Sequence, residues 1–227
     1  MKTTILFAIA LALTCALVVD AVAAAPSTAF DLHDWKLQIP GPRDIKALEN
    51  YSSEYFNLNA AGEMCFDLNA AEKGTTPNAK YVRSELRHLP NWKTSSRHQL
   101  SAELRVISAL KPDKVTVLQI HGITEKGGDA PPLLRIAENH GDLVAVIQTG
   151  NARRENETIV LQKGLGTRFV KIDVTVEAER LSIRVNGEQQ LSRGLAFWKF
   201  PNYFKAGCYP QATAGTPQVM FRKLTAN

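Results

Sequence analysis

Three short segments carry the side chains that could do chemistry in this chain: residues 83–87 (RSELR), 119–121 (QIH) and 203–211 (YFKAGCYPQ). Because side chains alternate between the two faces of an extended strand, each segment would place its polar groups on one side. The three polar rows are Arg83, Glu85 and Arg87; Gln119 and His121; and Tyr203, Lys205, Tyr209 and Gln211. Such rows in an otherwise apolar chain indicate a surface that holds a polar, extended molecule.

These side chains suit β-elimination from a polymer of uronic acids. The proton to be removed lies next to a carboxylate, whose negative charge must be offset as charge develops on the carbon. Arginine and glutamine are suitable donors to that carboxylate. His121, with an ordinary pKa of about 6.5, is a reasonable base near neutral pH. A tyrosine phenol can protonate the departing glycosidic oxygen.

Each pattern also has a plainer interpretation. The row of Arg83, Glu85 and Arg87 is typical of a solvated, salt-bridged strand face, and a single strand histidine is usually structural. The pair of Gln119 and His121 is harder to explain in this way, because it places an amide beside a titratable imidazole where an apolar strand ends.

Other chemistries lack their residues. The five histidines are scattered without ligand spacing for zinc or calcium, so neither a metal nor a cofactor is expected. A glycosidase needs two facing carboxylates, and only Glu85 lies in a candidate strand. The net charge of +5 and the isoelectric point near 9.1 favour an anionic partner. Nucleic acid is not expected, since the sequence has no basic tail or known nucleic-acid-binding motif.

Strand patterns dominate the chain around these segments. Alternation over 169–176 and 181–185 leads into Asn186-Gly187, a strong hairpin signal. Further strands are predicted around 62–68, 79–88, 98–107, 114–123, 142–148, 157–163, 203–211 and 217–224. One or two helical turns are predicted near 44–51, and loops that could act as lids over 124–132 and 149–156. Many short strands predict an all-β sandwich or jelly roll.

The N-terminus predicts secretion. Lys2, an apolar run and a small-residue region ending at Ala25 have the architecture of a signal peptide over 1–25, which leaves one domain over 26–227 and no membrane segment. Cys15 is then lost. Cys65 and Cys208 could pair in an oxidising compartment, or could be two small buried apolar residues.

The three segments, in this order, resemble the alginate lyases of polysaccharide lyase family 7. Residues 35–40 (WKLQIP) and 219–224 (VMFRKL) resemble that family's opening and closing strands, so the resemblance runs from about Phe30 to Leu224. It implies a β-jelly roll of two antiparallel sheets with a concave cleft for alginate. The enzyme is expected to be an extracellular monomer that acts without a cofactor. Endolytic cleavage is predicted because the sequence has no obvious large insertion that would close one end of the cleft.

The resemblance implies roles for individual residues. His121 would be the general base and Tyr209 the general acid, while Gln119 and Arg83 would neutralise the carboxylate at the cleaved unit. The expected substrate-binding residues are Arg87, Glu85, Lys205, Gln211 and Tyr203. Ile120 between Gln119 and His121 favours polyguluronate or mixed blocks.

Two alternatives remain open. A non-catalytic carbohydrate-binding jelly roll would keep a cationic cleft, but it would not need an aligned base and acid such as His121 and Tyr209. A lyase of the same fold acting on another polyuronate, such as glucuronan, would share every feature above.

Overall fold

The structure, a computed structural model, describes residues 24–41, 43–74, 80–107 and 114–227. Within these ranges the regular structure consists of fifteen strands and one short 3-10 turn at Pro26–Thr28. The strands are β1 Trp35–Ile39, β2 Arg43–Ile45, β3 Phe56–Leu58, β4 Met64–Asp67, β5 Ser84–His88, β6 His98–Ile107, β7 Lys114–Ile123, β8 Asp129–Asn139, β9 Asp142–Gln148, β10 Asn156–Gln162, β11 Val170–Glu177, β12 Arg180–Val185, β13 Glu188–Gly194, β14 Asn202–Pro210 and β15 Gln218–Ala226.

The strands form two sheets in which all neighbours are antiparallel. One sheet has the order β10-β9-β8-β7-β14-β5-β1-β2, and the other has the order β13-β12-β11-β6-β15-β4-β3. This arrangement confirms the predicted all-β jelly-roll sandwich. The strand order also brings the three polar segments together, because β14 lies between β7 and β5 and pairs with both.

The core lies between the two sheets and is built by the apolar half of each alternating strand. In β11 the buried residues are Val170, Ile172, Val174 and Val176, while the intervening polar residues face outward. The predicted hairpin at Asn186-Gly187 is also present: Val185 pairs with Glu188, and both turn residues have positive φ values of 52° and 89°. This two-residue turn fits the twist of the flanking strands.

Two predictions about local structure were wrong. Residues 44–51 form no helix; instead β2 folds back on β1, where Asp44 accepts hydrogen bonds from Lys36 (2.5 Å) and Gln38 (3.2 Å). The loop predicted over 124–132 ends early, because β8 already begins at Asp129. Pro131 and Pro132 concealed this strand, since proline donates no ladder hydrogen bond and is usually excluded from central strands.

The signal peptide predicted over 1–25 falls almost entirely on residues 1–23, which lie outside the described residues. At the start of the described chain, the carbonyl of Ala24 accepts a hydrogen bond from the Leu58 amide at 2.8 Å. Across the described ranges, no helix has the length and apolar character needed to span a membrane.

Cys65 and Cys208 are free thiols, and both are buried. Burial raises the pKa of Cys65 to about 11 and that of Cys208 well above its ordinary value. Both residues therefore act as small apolar side chains, and the disulfide alternative is not realised.

Candidate active site

A polar cleft of about 500 Å³ lies on the face of the eight-stranded sheet that points away from the core. The side chains that line it include Gln38, Arg83, Arg87, Gln119, His121, Asp129, Arg135, Arg153, Tyr203, Lys205 and Tyr209. Those that lie on strands belong to β1, β5, β14, β7 and β8, which are consecutive in the sheet. The cleft therefore crosses several strands, as a site for an extended chain must.

Strand β14 supplies three of these side chains through its alternation: Tyr203, Lys205 and Tyr209 line the cleft, while Cys208 is buried on the opposite side. Tyr203 pairs with His121 and Lys205 with Gln119 across β7. The register of this pair shifts between Ala206 and Tyr209, as in a β-bulge. Bulges of this kind often re-aim a side chain beside an active site.

His121 is held in one tautomer. Its Nδ1 atom lies 2.9 Å from the carbonyl oxygen of Gly122, which can only accept, so Nδ1 carries the proton and Nε2 has a free lone pair. The ring stacks on Tyr203 with centroids 5.2 Å apart. Burial, together with the nearby charge of Lys205, lowers the pKa of His121 to about 4. The imidazole is therefore neutral, as a base must be, at ordinary pH.

Two arginines lie over the two tyrosines of the cleft. The guanidinium carbon of Arg87 is 4.2 Å from the centre of the Tyr203 ring, and that of Arg83 is 4.6 Å from the centre of the Tyr209 ring. Burial raises the pKa of Tyr209, although Arg83 opposes this effect. The Tyr209 phenol thus keeps its proton at neutral pH and can act as an acid.

Glu85 and Lys205, two of the residues predicted to bind substrate, are almost completely buried, although Lys205 lines the floor of the cleft. Glu85 has no exposed surface, and Lys205 is only 2% exposed. The two form an ion pair beneath the cleft, where Glu85 also accepts a hydrogen bond from Gln119, and Lys205 donates to Gln38 at 2.9 Å. Alternation along β5 correctly predicted the side of Glu85 but could not predict that its neighbours would cover it.

Gln211 also lies elsewhere than expected. Its side chain is not part of the cleft lining; it accepts a hydrogen bond from the Thr116 hydroxyl at 2.9 Å and donates to the Tyr209 carbonyl at 2.5 Å. These contacts hold the end of β14 against β7. Gln211 is therefore placed to fix the backbone at Tyr209.

Sequence reasoning missed four of the polar side chains that line the cleft: Gln38, Asp129, Arg135 and Arg153. Gln38 lies in the segment 35–40 that resembles the family's opening strand, but its polar side chain was not singled out. Asp129 and Arg153 belong to the two segments predicted as lids, and they join those segments through an ion pair of 2.7 Å. Arg135 follows an apolar stretch of β8, the strand whose prolines concealed it.

The site thus offers a neutral base, a protonated phenol and several cations within one cleft. Within the ranges that the structure describes, no three His, Cys, Asp or Glu side chains are grouped so that they could hold a metal ion. The arrangement fits proton removal beside a carboxylate, because the base and the acid are both titratable groups in their working forms.

Comparison with known proteins identifies the family. Residues 30–227 match the sequence model of the alginate lyase family. An alginate lyase from Photobacterium sp. is 27% identical over an alignment of 185 residues, and the match covers 63% of this chain and 65% of that relative's length.

The fold matches solved alginate lyases as well. The crystal structure of alginate lyase A1-II′, a member of polysaccharide lyase family 7, has a TM-score of 0.83 and 28% identity, covering 90% of this chain and 98% of the other. A variant of that enzyme, with one His-to-Asn and one Tyr-to-Phe replacement, was crystallised with substrate (GGMG); it has a TM-score of 0.83 and 27% identity, covering 91% and 97% of the two chains. The sequence match and the shared fold show that this chain belongs to the alginate lyases of polysaccharide lyase family 7.

Proposed function

We propose that this protein cleaves alginate by β-elimination of its 1,4-glycosidic bonds. The observation that carries the proposal is the fixed tautomer of His121: its Nδ1 proton is held by the Gly122 carbonyl, so the free Nε2 lone pair can take a proton from substrate. The proton removed is the one on C5 of the uronate, next to the carboxylate.

The electron pair left on C5 is delocalised into the carboxylate, whose extra charge must be offset. Arg83 and Gln119 are the donors proposed for this role, because both line the cleft beside the base and the acid. The C5 electron pair then forms the C4–C5 double bond as the bond from C4 to the glycosidic oxygen breaks. Tyr209 donates its phenolic proton to that oxygen, which leaves as a hydroxyl group.

Arg87 and Tyr203 are proposed to bind the substrate rather than to react. Arg87 can pair with the carboxylate of a neighbouring sugar, and it lies against the Tyr203 ring, which in turn stacks on His121. Burial raises the pKa of Tyr203 to about 12, so this phenol stays neutral and supplies a flat surface and a hydroxyl group.

Endolytic action is proposed because the cleft crosses five consecutive strands and so suits an extended segment of polymer. A lean towards polyguluronate or mixed blocks is proposed from Ile120. Ile120 itself is fully buried on the core side, so any effect on block preference must act through the packing of β7 and not through contact with sugar.

The direct test is to incubate the purified protein with polyguluronate, polymannuronate and mixed-block alginate, and to follow ultraviolet absorbance from the new double bond. We expect absorbance to rise fastest with polyguluronate or mixed blocks, with long oligomers appearing first. Binding of all three polymers with no rise in absorbance would favour a carbohydrate-binding module instead. A faster rise with glucuronan would assign a different polyuronate.

Secretion as a monomer is part of the proposal. The apolar N-terminal segment supports export. N-terminal sequencing of protein from the culture medium is expected to give a start just after Ala23, Ala24 or Ala25, and light scattering is expected to give the mass of one chain. Protein retained with an intact Met1, or a dimer mass, would contradict these statements.

A further inference from the structure

Glu85 is a carboxylate beneath the cleft floor with no exposed surface. Burying a carboxylate is costly unless cations or donors satisfy it. Here Oε1 accepts a hydrogen bond from Gln119 Nε2, while Oε2 faces Lys205 Nζ and lies 3.6 Å from Arg83. Burial alone would raise the pKa of Glu85, but the two cations and Gln119 outweigh it and lower the pKa. Oε1 therefore has a hydrogen-bond donor, and Oε2 has two neighbouring cations.

Four adjacent strands build this group of side chains. Glu85 pairs with Gln38 across β1 and with Gly207 across β14, and Lys205 pairs with Gln119 across β7. Gly207 is required where it faces Glu85, since a Cβ atom there would lie 2.7 Å from the Glu85 Cα atom. Lys205 also donates to Gln38, so the ammonium group is held from two sides.

We propose that Glu85 is a positioning residue, which fixes the Gln119 amide for the substrate carboxylate and balances the charge of Lys205. The inference rests on the proposed lyase function. Both oxygens of a carboxylate accept hydrogen bonds, whereas an amide offers one acceptor and one donor. Only a carboxylate at position 85 can receive Gln119 Nε2 and Lys205 Nζ at the same time.

The first consequence concerns turnover. The Gln119 amide nitrogen has two hydrogens. One is committed to Glu85, which leaves the other for the sugar carboxylate. If the Gln119 amide rotated by 180°, its oxygen would take the place of the nitrogen and would repel the sugar carboxylate. Glu85 thus controls a donor of the reaction without touching substrate.

The second consequence concerns substrate affinity. The Lys205 ammonium and the Glu85 carboxylate cancel each other beneath the site, which leaves the cleft arginines to attract the anionic polymer. Burial has already lowered the pKa of Lys205 to about 8, and Glu85 is the group that raises it, so removing only the carboxylate favours loss of the lysine proton and leaves little net charge to alter binding. Removing only the ammonium would leave an unbalanced negative charge that weakens binding.

The test is a double-mutant cycle on purified full-length protein with polyguluronate. Glu85→Gln is expected to lower kcat by roughly 10²-fold, the order found when one positioned donor is lost, with KM close to wild type. Lys205→Met is expected to raise KM by about fivefold. In the double variant the new amide oxygen is released from Lys205 and can accept from Gln119, so kcat should recover by at least about tenfold over Glu85→Gln, with KM close to wild type.

A purely structural role predicts a different pattern. Losses that multiply in the double variant, or a KM that does not rise in Lys205→Met, would overturn the proposal. Lys205→Met leaves a buried carboxylate and is the variant most exposed to misfolding. If Lys205→Met does not fold, the recovery of kcat from Glu85→Gln to the double variant still tests the positioning role of Glu85.

A second measurement does not depend on activity. The side-chain ¹⁵N–¹H signals of Gln119, assigned by their loss in Gln119→Met, should shift strongly in Glu85→Gln and return towards wild type in the double variant. Unchanged signals in Glu85→Gln would overturn the positioning role. If the Gln119 signals shift in Glu85→Gln but the wild-type protein cleaves neither alginate nor any other polyuronate, only the proposed function is contradicted.

Discussion

The Arg83 guanidinium lies over the ring of Tyr209, the proposed acid, with its central carbon 4.6 Å from the ring centre. This contact has two effects on the phenol. Burial raises the pKa of Tyr209 and keeps its proton in place, while the positive charge of Arg83 favours the phenolate that remains after the proton has left. Arg83 can therefore serve both the substrate carboxylate and the acid.

Replacing Tyr209 with Phe is expected to lower kcat by roughly 10²–10⁴-fold, because a general acid contributes about that much. The ring, and with it the stacking of Arg83, is kept, so KM should change little. Absorbance assays give kcat, and calorimetry with alginate oligomers gives the affinity. A turnover rate near that of wild type would remove Tyr209 from the acid role.

Tyr203→Phe is the matched control for that experiment. Tyr203 lies in the same cleft, stacked between His121 and Arg87, and its ring is kept in the variant. Since the Tyr203 hydroxyl is assigned to binding, we expect a loss of less than about tenfold, far below the contribution of a general acid. Equal losses in the two variants would show that the assay does not distinguish the acid from its neighbour.

The lowered pKa of His121 predicts how activity depends on pH. Because its pKa is lowered to about 4, the free enzyme keeps a neutral base over most of the acid range. The value of kcat/KM should therefore fall only as the pH drops through about 4, rather than near the ordinary value of about 6.5. A decline in kcat/KM centred near 6.5 would contradict the burial of this imidazole.

Protonation of His121 also makes the free energy of unfolding depend on pH. In the unfolded chain His121 takes up a proton near pH 6.5, but in the folded protein only near pH 4, so between these values the unfolded state binds more protons. Its contribution to stability is complete above 6.5 and is lost as the pH falls through about 4, in total about 3 kcal/mol. Denaturant unfolding at several pH values should show this loss in wild type, and a smaller one in His121→Gln.

The fold was predictable because its signals are local. Alternation along β11 and the Asn186-Gly187 turn predicted strands and a hairpin, and the resemblance implied two antiparallel sheets with a concave cleft. The predictions that were wrong concern segments whose structure depends on contacts between residues distant in the sequence. The segment near 44–51 is drawn into β2 by partners on β1, and the two prolines of β8 are tolerated in a strand that otherwise reads as a loop.

The site was predictable in its composition but not in its depth. Period-two alternation placed His121, Lys205 and Tyr209 on the cleft side. Alternation says nothing about which of two polar side chains on the same face covers the other. For this reason the burial of Glu85 and its pairing with Lys205 appear only when four strands are assembled.

Gly207 predicts a sharp effect on stability. Its φ of 149° lies in a region that other residues rarely adopt, and an added Cβ atom would lie 2.5 Å from the Ser84 carbonyl oxygen. Gly207→Ala should lower the free energy of unfolding by more than about 2 kcal/mol, since both strain and a backbone clash oppose it. Gly194→Ala is the control, because a Cβ atom there meets nothing within 4 Å. Similar denaturation midpoints for the two variants would contradict the close approach of β14 to β5.

Asp129 and Arg153 predict opposite shifts of the His121 pKa. The groups that act on this imidazole are Lys205 on β14, Glu85 on β5, the Gly122 carbonyl, and Asp129 on β8, whose Oδ1 atom is 3.7 Å from Nε2. Asp129 raises the pKa and is itself paired with Arg153. Asp129→Asn should therefore lower the His121 pKa in an NMR titration, whereas Arg153→Gln, which releases the carboxylate from its cation, should raise it.

Each of these two variants is a control for the other, because both break the same 2.7 Å ion pair between Asp129 and Arg153. A loosened loop would move the His121 pKa in the same direction in both variants, whereas an electrostatic effect of the carboxylate changes sign between them. Because the titration is followed on the free protein, its result does not depend on which polyuronate is the substrate. Shifts of the same sign would remove Asp129 from any role in tuning the base.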